Sequence, residues 1–393
     1  MTVDPTQAPA GEHADQALTR IRQAMPGLLA DLEQRLRAPT AQAPFPLLHF
    51  GQKHRVARVS PEQAGAPEEW FFIGDLHGDF FALHTLLQQA QALRPDCRIL
   101  FLGDMVDRGS LPLECVFLLL DWGLRHPGRL AWIAGNHDIA FSCDAQGVFH
   151  SIVNPAELLF ELNVDDPSGE RQRIGRFFID MAHQLPRALL FPGGLLATHG
   201  GFPLVDLHPQ GQAVADEPAY LDWLNTDACL KDFTWTRIHR APRKIPDRYS
   251  SGSQYGFTDF DAFCRLQPQW FPVSCMVTGH EHPRDGFDLH LTYQTHRALT
   301  LLGMGFDEYA PESVAKYATT LHLGQGVTGT IPAVIEVPVD VGALARFLGQ
   351  PLPQAADPTP APTPSAAPGA APVSHPAAAP APVAAASTLA PKE

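Results

Sequence analysis

Aspartate, asparagine and histidine recur in this chain in five short glycine-flanked runs, each directly behind an apolar stretch. Gly74-Asp75-Leu76-His77-Gly78 is the first and Gly103-Asp104-Met105-Val106-Asp107-Arg108-Gly109 the second. Gly135-Asn136-His137-Asp138 follows, then His199-Gly200-Gly201, then Gly279-His280-Glu281-His282. Carboxylate, amide and imidazole groups without thiolates suit hard or borderline divalent ions. A phosphate ester resists nucleophilic attack because it is anionic. Two divalent ions roughly 3.5–4 Å apart remove that obstacle by neutralising phosphoryl oxygens and acidifying a water between them. The pattern supplies Asp75 and His77 for one ion, and Asn136, His199 and His280 for the other. Asp104 lies between them in the chain and is the natural bridge. Neutral Asn136 is a weak ligand, of the kind used where charge must be limited.

Hydrolysis also needs a proton for the leaving alcohol. His137 adjoins Asn136, and an imidazole donates a proton readily near neutral pH. Asp107 can orient that ring and stabilise its charge. Arg108 is next to it, and a guanidinium grips phosphate bidentately. Each motif alone has a plainer reading. Asp or Asn behind a strand is often a helix N-cap or a turn residue, and a lone His-Gly-Gly is usually a turn. Five such motifs in one chain outweigh those readings. Arg243-Lys244 reads as a solvated pair, and His84, His126, His183 and His208 as ordinary core or surface histidines.

The elements that must position these groups follow from the apolar runs. Trp70–Ile73, Arg98–Leu102, Leu130–Ala134, Leu195–Thr198 and Cys275–Thr278 have the length and composition of buried strands. Strands that end in Asp, Asn or His gather ligands at one sheet edge, where open α/β sheets place their sites. Phe80–Leu93 and Leu111–Arg125 have helical apolar spacing, so the first three strands form parallel βαβ units. Residues 139–190 read as mostly helical, with a polar break at Asp165–Gly169. β character returns in Ala298–Leu302, Thr319–Leu323 and Ala333–Val337, strands that complete a second sheet. Residues 14–38 carry helical spacing interrupted by Pro26-Gly27, which predicts two short helices. Three regions result: a helical, partly flexible segment over 1–45, a catalytic domain over 46–350, and a disordered Pro/Ala-rich tail over 351–393. In the tail 12 of 43 residues are proline and few side chains are large enough to build a core.

Net charge is −14, which argues against nucleic acid as a partner, since backbone phosphates require a basic face. It leaves phosphorylated substrates open, because bound metals reverse the local field. The 6 cysteines are scattered without a C-x-x-C pair and read as core thiols. The first residues lack a signal peptide's basic start and apolar core. No run approaches the ~20 apolar residues that span a bilayer, so a cytoplasmic protein without membrane contact is expected.

The ordered motifs resemble the metallophosphoesterase superfamily. GDMVDRG and HGG resemble its phosphoprotein-phosphatase branch, which contains Ser/Thr protein phosphatases and symmetrical dinucleoside tetraphosphatases. The match covers roughly residues 70–305 by motif order and spacing. It implies an α/β fold, an αββα sandwich of two mixed sheets flanked by helices, with metals at the strand ends. It implies two metals on Asp75, His77, Asp104, Asn136, His199 and His280, an acid pair His137–Asp107, and two phosphate-holding arginines. Arg108 is the first. Arg248 is taken as the second because Asp247-Arg248-Tyr249 precedes Gly256 and an apolar helix; Arg237 and Arg240 are its competitors. Departures from the branch are informative. Asp138 stands where protein phosphatases have Glu. Gly279-His280-Glu281-His282 is the wider superfamily's pattern, in which the second histidine binds the first metal, so His282 is either an added ligand or a surface histidine. The branch's Ser-Ala-Pro-Asn-Tyr loop is replaced by Leu301–Gly305. The cofactor expected is a pair of divalent ions, Mn²⁺ first, with Fe, Zn or Co admitted by the same ligands. The expected function is a Ser/Thr protein phosphatase-like phosphoesterase acting on a phosphorylated protein. A hydrolase of diadenosine tetraphosphate or another small phosphoester is the second reading, with Trp235, Arg237 and Tyr255 as stacking partners for bases. A non-catalytic scaffold that uses its tail for partners is the third, and the intact ligand set argues against it.

Overall fold

Alternation along the strands sorts their side chains between two cores. The computed structural model describes residues 12–37, 55–66, 69–204, 216–246, 251–290, 293, 296–305, 320–326 and 331–338. On one face Trp70, Phe72, Leu100, Leu102, Ala131 and Ile133 meet Leu189, Phe191, Leu195, Ala197, Val277 and Leu299 of a second sheet. On the other face Phe71, Ile73, Ile99, Phe101, Leu130 and Trp132 meet helices. Period-2 patterning in strands covered on both sides therefore yields continuous apolar runs. Each such side chain fully buried contributes about 1.5–3 kcal/mol.

The first sheet runs in the order Ala333–Pro338, Thr320–Gln325, Trp70–Ile73, Arg98–Phe101, Leu130–Trp132. Its last three strands are parallel and its first two antiparallel. The second sheet runs Val56–Arg58, Ala188–Leu190, Leu195–Thr198, Cys275–Thr278, Arg297–Leu301, Phe287–Leu289 and is also mixed. Helices Phe80–Leu93, Pro112–Arg125, Glu170–Gln184 and Ala14–Arg37 cover the outer face of the first sheet. Helices Glu217–Leu224, Asp227–Trp235 and Phe257–Leu266 cover the outer face of the second. This is the αββα sandwich the motifs imply, with two mixed sheets flanked by helices.

Two local expectations are corrected. Residues 14–37 form one helix, with Pro26 inside it. Ala17, Leu18 and Ile21 on one side of the break, and Leu29 and Leu32 on the other, are all buried in the same core. Burial across both halves outweighs a proline's cost of about 3 kcal/mol. Salt bridges Arg20–Asp121 at 2.8 Å and Arg173–Glu33 at 2.8 Å further tie the helix to its neighbours. The stretch 139–190 is not mostly helical from its start. It opens with a hairpin of Phe141–Cys143 and Phe149–Ser151, passes through Leu158–Leu162 and Glu170–Gln184 as helices, and ends in the strand Ala188–Leu190. Asp144 makes the hairpin turn, its Oδ1 accepting from the backbone N–H groups of Gln146 and Val148. All 6 cysteines are free, and Cys143 alone is not buried. No helix among the described residues is long and apolar enough to cross a membrane. His208 and the expected tail 351–393 lie outside the described residues.

Candidate active site

The strand ends deliver the motif side chains into one buried volume by way of an uncommon backbone. His77, Asp104, Asp107, Arg108 and His280 have φ of 46°, 58°, 69°, 63° and 68°. They are the non-glycine residues with positive φ among those described, and all five belong to the motifs. Left-handed backbone at such residues costs about 1–3 kcal/mol each and persists where surrounding contacts over-determine it. Those contacts are present. The N–H groups of Leu76 and His77 both donate to Asp104 O, at 3.1 and 3.0 Å. His280 N donates to Asp75 Oδ1 at 2.9 Å, and His137 N to Asp104 Oδ1 at 2.9 Å. Glycine permits the close approach: a Cβ on Gly135 would collide with the Asp104 carboxylate, and one on Gly279 with that of Asp75.

The expected ligands converge. Asp75, His77, Asp104, Asn136, His199 and His280 are all buried. Three sets of side chains are close enough for each to hold an ion: Asp75, His77 and His282; His77, Asp104 and His137; and Asp104, His199 and His280. Asp104 is common to the last two, as the expected shared ligand would be. The atoms that face each other are mostly acceptors. His199 Nδ1 lies 2.9 Å from Leu102 O and so carries the proton, leaving a lone pair on Nε2. That Nε2 sits 3.1 Å from Asn136 Oδ1, 3.1 Å from His280 Nδ1 and 3.4 Å from Asp104 Oδ2. His77 is fixed the same way by Val106 O at 2.8 Å, and its buried Nε2 has no hydrogen-bond partner among the described residues. Lone pairs gathered this closely need a positive species between them. Carbonyl-oriented imidazoles are the arrangement that metal sites use to aim a ligand nitrogen. The residues present therefore fit two divalent ions.

The electrostatics agree. Burial drives His77 and His280 well below the ordinary histidine value, which keeps them in the neutral, ligating form. Burial opposes a charge on His199 as well, yet Asp104 and Asp75 hold its pKa up to about 9. In the chain alone a proton answers the demand of those carboxylates for positive charge. His282 Nε2 is 3.5 Å from Asp75 Oδ2 and its side chain is partly exposed. It joins the first ligand set at its open side.

His137 Nδ1 lies 2.7 Å from Asp107 Oδ2, both buried. Burial opposes the imidazolium, but Asp104 and Asp107 outweigh it and raise its pKa. The proton on Nδ1 is thus fixed, and Nε2 is the atom left for exchange. Arg108 is adjacent and half-buried. Arg248 lies outside the described residues. Arg237, one of its competitors, is at the site: Nη1 donates to His280 O at 3.2 Å and pairs with Glu281 Oε1 at 3.3 Å. Arg240 is 85% exposed and pairs instead with Asp288. Of the proposed stacking residues, Tyr255 is fully buried against Phe202 and is unavailable to a base.

Sequence reasoning missed the groups that hold the motif backbones. Asp138 accepts from Asp104 N, Met105 N and Gly135 N at 3.0, 2.9 and 2.9 Å, locking the second motif to the third. Asp79 caps helix Phe80–Leu93 at Ala82 N and accepts from Gly305 N at 2.8 Å. Glu157 accepts from Arg108 N at 2.7 Å. The carboxylates of Asp79, directly behind the first motif's Gly78, and Asp138, the last residue of the third motif, were the available signal.

Known phosphatases resemble this chain in sequence and in fold. A serine/threonine-protein phosphatase of Caenorhabditis elegans is 27% identical over 62% of this chain and 49% of its own length. The catalytic subunit of serine/threonine-protein phosphatase 4 of Eremothecium gossypii is 28% identical over 54% of this chain and 62% of its own. The chain thus spans less than two thirds of the length of either relative. A solved protein serine/threonine phosphatase of Saccharomyces cerevisiae, described as similar to human phosphatase PP5, superposes with TM-score 0.52 at 17% identity. The superposition covers 84% of this chain and 90% of that one, which supports the fold. These relatives agree with the protein-phosphatase branch that the motifs resemble. The model of the calcineurin-like phosphoesterases matches residues 71–284, more than half of the sequence, and the chain belongs to that family.

Proposed function

We propose that this chain is a metal-dependent phosphoesterase that removes phosphate from phosphoserine and phosphothreonine in proteins. The observation that carries the reading is the His137–Asp107 pair, 2.7 Å apart, set against the Asp104 ligand cluster and beside Arg108. Asp75, His77, Asp104 and His282 would hold one ion, and Asp104, Asn136, His199 and His280 the other. Two bound divalent ions would neutralise the phosphoryl oxygens and supply an acidified water as nucleophile. The remaining work falls to the chain. Arg108 and Arg237 flank the cluster and bind the phosphate oxygens, orienting the phosphorus for in-line attack. His137 Nε2 gives its proton to the departing serine or threonine oxygen. Asp107 keeps the proton on Nδ1 and stabilises the ring while it is charged. Arg248 stays a candidate for the same anionic contact. Mn²⁺ is the ion we favour among Mn, Fe, Zn and Co, all of which oxygen and imidazole donors admit. A cytoplasmic setting fits 6 thiols without a disulfide.

The protein-phosphatase names of the relatives support the substrate class. Burial of Tyr255 weighs against a dinucleotide, which wants aromatic faces near the metals. The test is kcat/KM for a phosphoserine peptide against diadenosine tetraphosphate at equal Mn²⁺. The peptide is expected to win. A dinucleotide advantage above about tenfold, about 1.4 kcal/mol in transition-state binding, overturns the substrate class.

A further inference from the structure

Of the six large apolar side chains that stand most exposed among the described residues, Val148, Ile152, Phe160 and Val164 fall within one stretch. Phe160 is 75% exposed and Ile152 78%. This stretch borders a cleft of about 630 Å³ lined by Arg108, Val153, Pro155, Leu159 and Phe160. Single exposed apolar residues need no explanation, but a cluster beside a cleft marks a contact site.

The cleft shares Arg108 with the candidate active site. Its wall is bonded directly to the catalytic loop, with Arg108 N donating to Glu157 Oε2 at 2.7 Å and Leu158 N to Asp107 Oδ1 at 3.1 Å. Asp107 in turn holds His137. A phosphate held by Arg108 would bring the neighbouring part of its substrate toward Val153, Leu159 and Phe160, which line the same cleft. An extended peptide has side chains of its own to set there. The lining favours an apolar side chain, and the Glu157 carboxylate in the same wall disfavours an acidic one.

We propose that this cleft is a subsite for a large apolar side chain flanking the phosphorylated residue of a protein substrate. It makes the enzyme select apolar over acidic sequence beside its target. The proposal rests on the phosphoprotein reading above and adds a preference to it.

The test uses the full chain with Mn²⁺ and three phosphoserine decapeptides that differ only in carrying Phe, Ser or Glu on both sides of the phosphoserine. p-Nitrophenyl phosphate, which has no flanking residue, is the control. The Phe peptide is expected to exceed the Glu peptide roughly ten- to hundredfold in kcat/KM, through KM, as apolar pockets discriminate by such factors. Phe160→Ser and Ile152→Ser replace exposed side chains and leave folding intact. They should shrink that preference several-fold and leave the aryl phosphate unchanged. Affinity for a non-hydrolysable phosphonate version of the Phe peptide, read by fluorescence anisotropy, should fall in parallel. Turnover of all three peptides at similar rates, or a preference untouched by both substitutions, overturns the subsite while sparing the phosphoprotein reading. Turnover of the aryl phosphate with no peptide hydrolysed overturns both. Light scattering that finds a wild-type dimer and a monomeric Phe160→Ser variant assigns the patch to a second copy of this chain, and the proposal falls.

Discussion

Replacing Asp107 by Asn isolates the acid step without touching a metal ligand. Asp107 Oδ1 accepts from Leu158 N at 3.1 Å and Oδ2 faces His137 Nδ1 at 2.7 Å. An asparagine that keeps its oxygen toward Leu158 N presents an amide N–H₂ to the histidine. His137 must then take the tautomer with a bare Nδ1, or lose the contact. The bond lost joins a buried charged group, worth about 1.5–3 kcal/mol, which corresponds to about 10- to 150-fold in rate. His137→Asn removes the proton donor itself and should cost more, about 10²–10⁴-fold in kcat. Both losses belong to leaving-group protonation. They should therefore be large on a phosphoserine peptide, whose alkoxide leaves badly, and small on p-nitrophenyl phosphate, whose phenolate leaves without help.

The pH profile gives a second readout, and its sign is fixed by the acid role. Burial opposes the His137 charge, but Asp104 and Asp107 raise its pKa. An acid works in its protonated form, so activity on the peptide falls as pH rises through that pKa. Removing the Asp107 charge lowers the pKa, and the alkaline fall in Asp107→Asn should move to lower pH. The assay is steady-state kinetics of both variants on both substrates from pH 6 to 9, with metal content measured on each sample. Equal losses on peptide and aryl phosphate, at unchanged metal content, refute the assignment of His137 as the acid. So does an alkaline limb that stays in place.

Two further outcomes are expected. Asp104→Asn takes one charge from the shared ligand and should remove most activity while lowering metal content below two ions per chain, read by elemental analysis; full activity with chelator present contradicts the metal site. Glu161 is half-buried near Glu114, and burial followed by that carboxylate raises its pKa from 4.5 to about 7. The folded chain thus binds the Glu161 proton more tightly than the unfolded one, so this group weakens folding as pH rises from 4.5 to about 7 and its full penalty stands above that. Screening at a partly exposed site reduces the penalty to ~1 kcal/mol. Glu161→Gln should raise Tm by about 2 °C at pH 8 and leave it unchanged at pH 4.5, which differential scanning calorimetry checks.

What the sequence disclosed and what it hid divide along a physical line. The convergence of Asp75, His77, Asp104, Asn136, His199 and His280 was legible because each sits behind an apolar run that reads as a strand covered on both faces, and strand ends gather at one sheet edge. Asp138 was not, because its role is to accept backbone N–H groups from a loop 33 and 34 residues earlier, and any carboxylate in a motif looks alike until that loop is in place. Pro26 misled for the opposite reason. A local rule predicts a break, but burial of the residues on both sides of it is a tertiary quantity. Arg237 is a third case. What brings it beside His280 is the parallel pairing of Arg237–Ile238 with Ser253–Tyr255, a register two short runs cannot announce. That same pairing turns Tyr255 inward onto Phe202 and removes it as a base-stacking surface.

The substrate question therefore passes to the wall that the sequence reading assigned to helix. The hairpin Phe141–Cys143/Phe149–Ser151 and the segment behind it leave Ile152 and Phe160 in solvent while Glu157 holds the Arg108 backbone and Leu158 the Asp107 carboxylate. Ligand geometry in such a site is common to any phosphoester. Selection among phosphoesters must come from groups that touch the rest of the substrate and not its phosphate, and this wall is bonded to the acid pair and lines the cleft beside it.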